Sequence, residues 1–286
     1  MKNYRLKSFS KINLSLRVIK RLKNKYHKIQ SYMAFVDLHD LIYVSKSKNL
    51  KDKVIFSGKF KNSININDNT ITKVINLLRK KNKLKNIRFN IKIIKKIPTG
   101  SGLGGGSSNA ATLINFFNSK MNLKLKKREI IQLAYRVGSD VPACMAQKSL
   151  FLLGKKIKIL KANRFKLIFL IVFPNIPCST KKIYSKNNIF SPAKFISYNS
   201  TNNKKKYLNF LKREKNDLEE TVVKIYPMIE NLIKEISIQK GCFFSRLTGS
   251  GSACFGLFSS VKYATMAKNL IRRKFPGYWC KISKTI

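Results

Sequence analysis

Histidine is nearly missing from this 286-residue chain: His27 and His39 are its only two. That leaves little scope for a metal centre built on imidazole. The five cysteines, Cys144, Cys178, Cys242, Cys254 and Cys280, include no C-x-x-C pair. An odd, scattered set argues against a disulfide framework or a zinc site, and for reduced thiols in a cytosol-like compartment. No apolar run approaches the ~18 residues of a membrane helix. The longest, Leu167 to Phe173, has the length of a buried strand. The opening MKNYRLKSFSKINLSL carries charges and no apolar h-region, so no secretory signal is expected. These absences together point to a cytoplasmic protein with no membrane partner.

Acids are scarce too, with 12 Asp and Glu against 60 Lys and Arg, a formal charge of +48. Such a field attracts polyanions, and a nucleic-acid-binding protein is one reading of it. The bases, however, run along the whole length, and Asn and Ile are abundant together with Lys. Codon bias in an AT-rich genome raises all three residues at once, whereas selection for nucleic-acid binding raises only the bases. No basic-aromatic repeat or known nucleic-acid module accompanies the charge. No specific nucleic-acid partner is therefore expected.

A chain of this length is long for one core and comfortable for two. SFSKINLSLRVI alternates Lys11, Asn13 and Ser15 with Ile12, Leu14 and Leu16, the pattern of a strand with one wet face. YHKIQSYMAFVDLHDLIYVSKS reads as two extended stretches broken near His39–Asp40. A helix is expected from about Asn69 to Lys81, where Ile71, Val74, Ile75 and Leu78 share a face. The strand IRFNIKIIKKIP then leads into a further helix bearing Ala110, Leu113, Ile114 and Phe117, with Ser107 or Ser108 as its N-cap. The next helix carries Ile130, Leu133, Ala134 and Val137 and stops at Gly138. Beyond a boundary near residues 150–165 come the strand KLIFLIVF, a polar loop over 185–206, more helices, the segment SRLTGSGSACFGLF and a final helix KYATMAKNLIRRKF. Strands and helices mix without strict alternation, which reads as α+β in two lobes.

Glycine is rare as well, and its distribution is the most informative feature. Of 13 glycines, Gly100, Gly102, Gly104, Gly105 and Gly106 fall within seven positions of IPTGSGLGGGSSNAATLI, residues 97–114. Glycine is retained where the backbone needs φ > 0 or must approach something closely. The order strand, glycine loop, serine pair, helix aims several amides and a helix N-terminus at one point, where an anion is favoured. A Walker A loop needs a lysine where Gly106 stands. A dinucleotide fingerprint leaves the triplet Gly104–Gly106 and the serine pair superfluous.

PTGSGLGGGSSNAA resembles instead the phosphate loop of the GHMP kinases, which include galactokinase and the homoserine, mevalonate and phosphomevalonate kinases. SKINLSL, Tyr26–His27, VDLHDLI, GSDVP, NDLE and SRLTGSGSACFGLF match further family segments in the same order, from Lys11 to about Phe258. The match is most like the branch that phosphorylates a cytidine diphosphate-linked methylerythritol in the non-mevalonate route to isoprenoid precursors. The resemblance implies a two-lobed GHMP kinase fold with its active site in the inter-lobe cleft. Residues 1–155 would form an ATP-binding domain and residues 156–286 a C-terminal GHMP-type domain. ATP would arrive with Mg²⁺, and no metal site of the protein's own is expected. Asp140 would orient the acceptor hydroxyl or take its proton, and Lys11 would offset charge on the transferred phosphoryl group. Pro98, Gly100, Gly102, Leu103, Gly104, Gly105, Gly106, Ser107 and Ser108 would hold the nucleotide. Asn13, Tyr26, His27 and Tyr184 would take the acceptor, the aromatic rings flanking its cytosine. Gly249 and Gly251 would bring a second tight turn near the site. The expected partner is thus a small molecule, with the chain a monomer or homodimer.

Each residue also has a plainer reading. Asp140 before Val141–Pro142 is a ready helix cap, Lys11 is one lysine among many, and Asp217 and Glu219 read as solvated or capping acids. Asn24–Lys25 stand where the family has Asp-Gly. Only Gly154 remains of a usual G-x-G-E turn, and Ser101 needs more room than the smaller residue usual there. Other readings remain: another small-alcohol kinase of the same family, a basic nucleic-acid binder, or an enzyme decayed by mutation.

Overall fold

The computed structural model describes residues 3–23, 26–159, 165–193 and 203–286. Two compact units interleave along the chain. The first comprises the stretch ending at Lys11, Leu38–Thr99 and Gly104–Gln147; the second comprises Ile12–Asp37, Gly100–Leu103 and Lys148–Ile286. Strands β1 (Tyr4–Asn13) and β3 (His27–Ser47) contribute residues to both.

In the first unit, β4 (Lys53–Ser57) pairs in parallel with β5 (Arg88–Ile94), and β5 pairs antiparallel with Leu41–Ser47 of β3. β5 buries Phe89, Ile91 and Ile93 and turns Asn90 and Lys92 outward, the period-two pattern of a half-covered sheet. Helix α1 (Thr70–Lys80) starts where expected, because the Asn69 side chain accepts from the amides of Ile71 and Thr72 at 3.0 and 2.9 Å. Its buried residues are Ile71, Val74, Ile75 and Leu78, the four that the helical spacing selects. Helices α2 (Gly105–Lys120), α3 (Lys127–Val137) and the single turn α4 (Val141–Cys144) pack on α1 and on one another.

In the second unit, Gln30–Met33 of β3 pair antiparallel with β6 (Leu150–Leu153), which pairs with β7 (Lys156–Ile159). β2 (Arg17–Arg21) joins the start of β3. A separate antiparallel sheet has the order β11 (Trp279–Lys284), β8 (Ile168–Phe173), β10 (Cys254–Phe258), β9 (Cys242–Leu247). Helices α8 (Met228–Ser237) and α9 (Val261–Lys274) pack on it. Leu170 and Val172 of β8 meet Leu232 and Ile236 of α8 and Ala267 and Ile271 of α9 in one core. Each large side chain sunk there contributes about 1.5–3 kcal/mol. α7 (Glu219–Ile225) adds Val222 to the same core. α5 (Thr180–Lys186) and α6 (Lys204–Arg213) flank the polar loop expected over 185–206, of which 194–202 lie outside the described residues.

Two expectations are corrected. β3 does not break at His39–Asp40 but runs for 21 residues, because the Asp40 carboxylate is buried and bonded within the sheet and so does not end it. The polar residues of SFSKINLSL do not form a wet face. Lys11, Asn13 and Ser15 are all buried, and Asn13 Nδ2 donates to Ser31 Oγ at 2.8 Å while Tyr32 N donates to Ser15 Oγ at 3.3 Å. Buried polar groups persist only with such partners, and these partners lie on β3, out of reach of a local reading.

Gly256 sits in β10 where α8 crosses. A Cβ there would lie 2.5 Å from Ile236 Cγ2 and 2.7 Å from Phe258 Cε2. Gly256→Ala is expected to cost about 1–3 kcal/mol by overpacking, read as a lower urea midpoint at unchanged slope. An unshifted midpoint would mean that α8 yields freely at this point.

Candidate active site

The glycine loop leaves β5 through a buried charge cluster. The Lys95 ammonium and Asp40 carboxylate form a salt bridge with side chains 2% and 0% exposed. Asp40 Oδ1 also accepts from the amides of Lys96 and Ile97 at 2.7 and 2.9 Å. Asn109, in the second turn of α2, accepts from Lys95 Nζ and donates to Asp40 Oδ2 and Ser8 Oγ, each at 3.0 Å. One carboxylate therefore fixes the residues before the loop and, through Asn109, those after it.

The loop itself takes positive φ at Gly100, Gly102 and Gly104. All three positions are also crowded, and a Cβ on Gly100 would lie 2.8 Å from Pro177 Cβ. A Cβ on Gly102 would run into the carbonyl oxygen of Thr248, and one on Gly104 would lie 2.8 and 2.9 Å from Cγ and Cε of Lys11. Gly104, with φ 69°, is the N-cap of α2. The expectation that Ser107 or Ser108 caps this helix is thus corrected: both lie inside its first turn, because the left-handed glycine already starts it. Helix geometry leaves the amides of Gly105, Gly106 and Ser107 without intrahelical acceptors, while Ser108 N donates to Gly104 O at 2.8 Å. Thr70 Oγ1 donates to Gly106 O at 2.8 Å and holds the turn from the α1 side. Pro98 and Leu103 are buried beneath. Ser101, the bulkier residue in the loop, is accommodated: its hydroxyl accepts from Leu103 N at 3.4 Å.

Ser108 Oγ is fully buried and has no hydrogen-bond partner of ordinary geometry among the described residues. Leaving such a hydroxyl unsatisfied costs about 1–3 kcal/mol. The buried Cys144 thiol lies close enough for the Ser108 hydroxyl to pull its pKa down weakly, but burial first and the Asp140 charge second push it up to about 12. It stays protonated at neutral pH and offers no nucleophile.

Lys11 and Asp140 come together on the α2 side of the loop, with Nζ 3.4 Å from Oδ2. The lysine is buried and the carboxylate about one-third exposed, so solvent-side access is to Asp140. Asp140 occupies the N-cap position of α4, yet its side chain makes no capping bond. The plainer reading of this aspartate as a cap is therefore not what its carboxylate does.

In the second unit His27 and Tyr184 lie against each other as a tilted pair, with ring centroids 5.0 Å apart and planes inclined by 36°. His27 Nε2 is shielded and has no hydrogen-bond partner among the described residues. Its pKa is lowered, by burial first and by the charge of Arg21 second, which keeps the ring neutral. Tyr26 beside it is 60% exposed. Asn24 and Lys25, where the family pattern departs, lie outside the described residues. Asn13 is fixed by its amide donating to Thr248 Oγ1 at 2.9 Å.

Sequence reasoning assigned no role to Asp40, Lys95, Asn109 and Thr248, and it misread NDLE. Asp217 and Glu219 are not solvated: Asp217 accepts from Val18 N at 2.9 Å and Ser191 Oγ at 3.0 Å, and Glu219 from Leu247 N at 2.8 Å. The usable signal was scarcity, since an acid kept in a chain with only 12 is worth tracing to a partner.

Comparison with known proteins gives the family. Residues 69–148 match the pattern of the GHMP kinases N terminal domain, and residues 200–276 that of the GHMP kinases C terminal. The chain belongs to the GHMP kinase family. It is 39% identical over 287 residues, all of both chains, to the 4-diphosphocytidyl-2-C-methyl-D-erythritol kinase of Pelagibacter ubique. The protein of the same name from Anaplasma phagocytophilum is 32% identical, over 98% of this chain and 93% of the relative. A crystal structure of a 4-(cytidine 5'-diphospho)-2C-methyl-D-erythritol kinase shares the fold with a TM-score of 0.78 at 22% identity, covering 99% of this chain and 100% of that one.

His27 is expected to titrate below the ordinary histidine value of 6.5 in an NMR pH series. The sign follows: its contribution to stability is full above pH 6.5 and is lost as pH falls from there through the folded-state value. A midpoint at or above 6.5 would show that the ring is solvated.

Proposed function

We propose that this chain is an ATP-dependent kinase that transfers the γ-phosphoryl group of ATP to the 2-hydroxyl of 4-diphosphocytidyl-2-C-methyl-D-erythritol, in the non-mevalonate route to isoprenoid precursors. The observation that carries the chemistry is the Lys11–Asp140 pair, held where only a glycine at 104 lets the Lys11 stem pass. Phosphoryl transfer asks little of a protein beyond alignment and charge neutralisation. Asp140 accepts a hydrogen bond from the acceptor hydroxyl and takes its proton as the new P–O bond forms. Lys11 holds that carboxylate in place and stabilises negative charge on the moving group.

The amides of Gly105, Gly106 and Ser107 and the positive end of α2 receive the phosphates. Ser108, with its unsatisfied hydroxyl, suits a phosphate oxygen or a nucleotide-borne Mg²⁺. Such an ion, held by Ser108 and the phosphates, would neutralise charge between the β- and γ-phosphoryl groups. We assign residues 1–155 to nucleotide binding and residues 156–286 to the C-terminal GHMP-type part.

The choice of acceptor rests on the names of the relatives and on the aromatic group. A neutral His27, with an unbonded ring nitrogen and tilted against Tyr184, can read a base edge while a tyrosine ring covers its face. A small aliphatic alcohol has no use for such rings. Offered the cytidine diphosphate-linked alcohol, homoserine and mevalonate with ATP, the protein is expected to phosphorylate the first alone. Preference for either of the others would replace the acceptor assignment. Asp140→Asn should lower kcat by at least about 10²-fold, the scale of a positioned proton acceptor, with ATP affinity retained. A near-normal rate would remove Asp140 from the mechanism.

A further inference from the structure

The segment Asn216–Asp217–Leu218–Glu219 has no part in the chemistry above, yet Asn216 is 95% buried and its side chain is fully engaged. Its Nδ2 donates to Leu247 O at 3.0 Å and to Gly249 O at 2.8 Å, and its Oδ1 accepts from Leu218 N at 3.1 Å. The two carbonyls it grips belong to the end of β9 and to the turn that follows. That turn, Thr248–Ala253, is the surface on which part of the phosphate loop rests. Ala253 N donates to Ser101 O at 3.0 Å, and the Thr248 carbonyl is the group that forbids a Cβ on Gly102. Thr248 Oγ1 meanwhile accepts from the backbone of Asn13, two residues along β1 from Lys11.

We infer that Asn216 is a positioning residue for nucleotide binding. By anchoring both carbonyls of the Leu247–Gly249 turn, it sets the height of the Thr248 carbonyl and hence the path of Ser101–Leu103. The inference rests on the reading of the glycine loop as the ATP site. Its mechanical part does not, because the contact between the turn and the loop exists whatever ligand the loop takes. The amide is suited to this task because two carbonyls face it and only a double donor satisfies both. An alanine leaves both without that donor. An aspartate of the same shape opposes them with a carboxylate, which cannot donate until it is protonated.

The test compares wild type with Asn216→Ala and Asn216→Asp. Hydrogen exchange in the nucleotide-free protein reads the mechanical part: the Ala253 amide is expected to exchange faster in both variants, while the β8–β10 ladder amides keep their rates. Steady-state kinetics read the functional part. KM for ATP should rise roughly tenfold, the scale of one or two lost hydrogen bonds, with KM for the acceptor within about twofold. For Asn216→Asp the defect relative to wild type should shrink as pH is lowered from about 8.5 to about 6, as the carboxyl regains a proton and with it a donor. A merely structural role predicts instead a lower thermal midpoint and a smaller active fraction with both KM values unchanged and no pH trend. That pattern, failure of both variants to fold, or unchanged exchange at Ala253 overturns the inference. Absence of ATP binding by the wild type would instead overturn the kinase reading and leave the exchange result to stand by itself.

Discussion

The buried Lys95–Asp40 ion pair is the constraint on which the first unit's half of the phosphate loop depends. A charge taken out of water is tolerated only if its partner and hydrogen bonds are all supplied, and removing one member typically costs about 3–5 kcal/mol. Here the supply comes from both ends of the loop. The amides of Lys96 and Ile97 precede it, and the side chain of Asn109 follows it. The loop cannot relax at either end without stranding a buried carboxylate. Gly105 completes the arrangement, since a Cβ there would lie 3.0 Å from Ile97 and 3.3 Å from the Lys95 ammonium. The start of α2 is thereby set directly over the pair. The loop is thereby held from both ends by a buried network.

The helices were legible because their signals are local. Four apolar residues at helical spacing and an asparagine cap define α1 without reference to anything else in the chain. The continuous run of β8 reads as a buried strand for the same reason, and the glycine loop stands out by composition. What escaped was polarity that is local in sequence but satisfied at long range. Asp40 looks like an interruption in VDLHDLI until Lys95 arrives 55 residues later to neutralise it. Asn13 and Ser15 look like a solvent face until β3 and Thr248, the latter 235 residues distant, cover them. Asp217 and Glu219 read as solvated or capping acids, whereas their carboxylates accept from Val18 N and Leu247 N, far away in sequence. The misplaced cap of α2 is a different kind of error. Serine before a helix is the common choice, and only the left-handed backbone of Gly104 makes it unnecessary.

The charge imbalance becomes intelligible once the acids are traced. Asp40, Glu214 and Asp217 are buried and paired. Asp52 bridges to Arg79 and also accepts from Phe89 N, tying β5 to α1. Asp37 receives Ser283 Oγ and Lys284 N, fastening β11. Glu129 accepts the Lys126 amide at the start of α3. Surface acids can be lost under codon bias at little cost, because exposed ion pairs are worth about 0–1 kcal/mol. Acids that satisfy buried amides or cations cannot. Exposed Asp68, Glu220 and Glu230 remain as well, each in a surface ion pair, so the retained acids are not all structural.

Asp140 is the informative case under that argument. It is neither buried like Asp40 nor capping like Glu129, and its carboxylate is open to solvent on one side. It differs from the exposed Asp68, Glu220 and Glu230 in that its partner is a buried lysine and not a surface one. Its partner explains how the charge is kept on call. Lys11 is buried beneath Gly104, so the ammonium cannot swing into solvent, and the pair does not depend on two mobile side chains finding each other. The surplus of positive charge elsewhere draws anionic substrates toward the molecule, and both substrates of the proposed reaction are anionic.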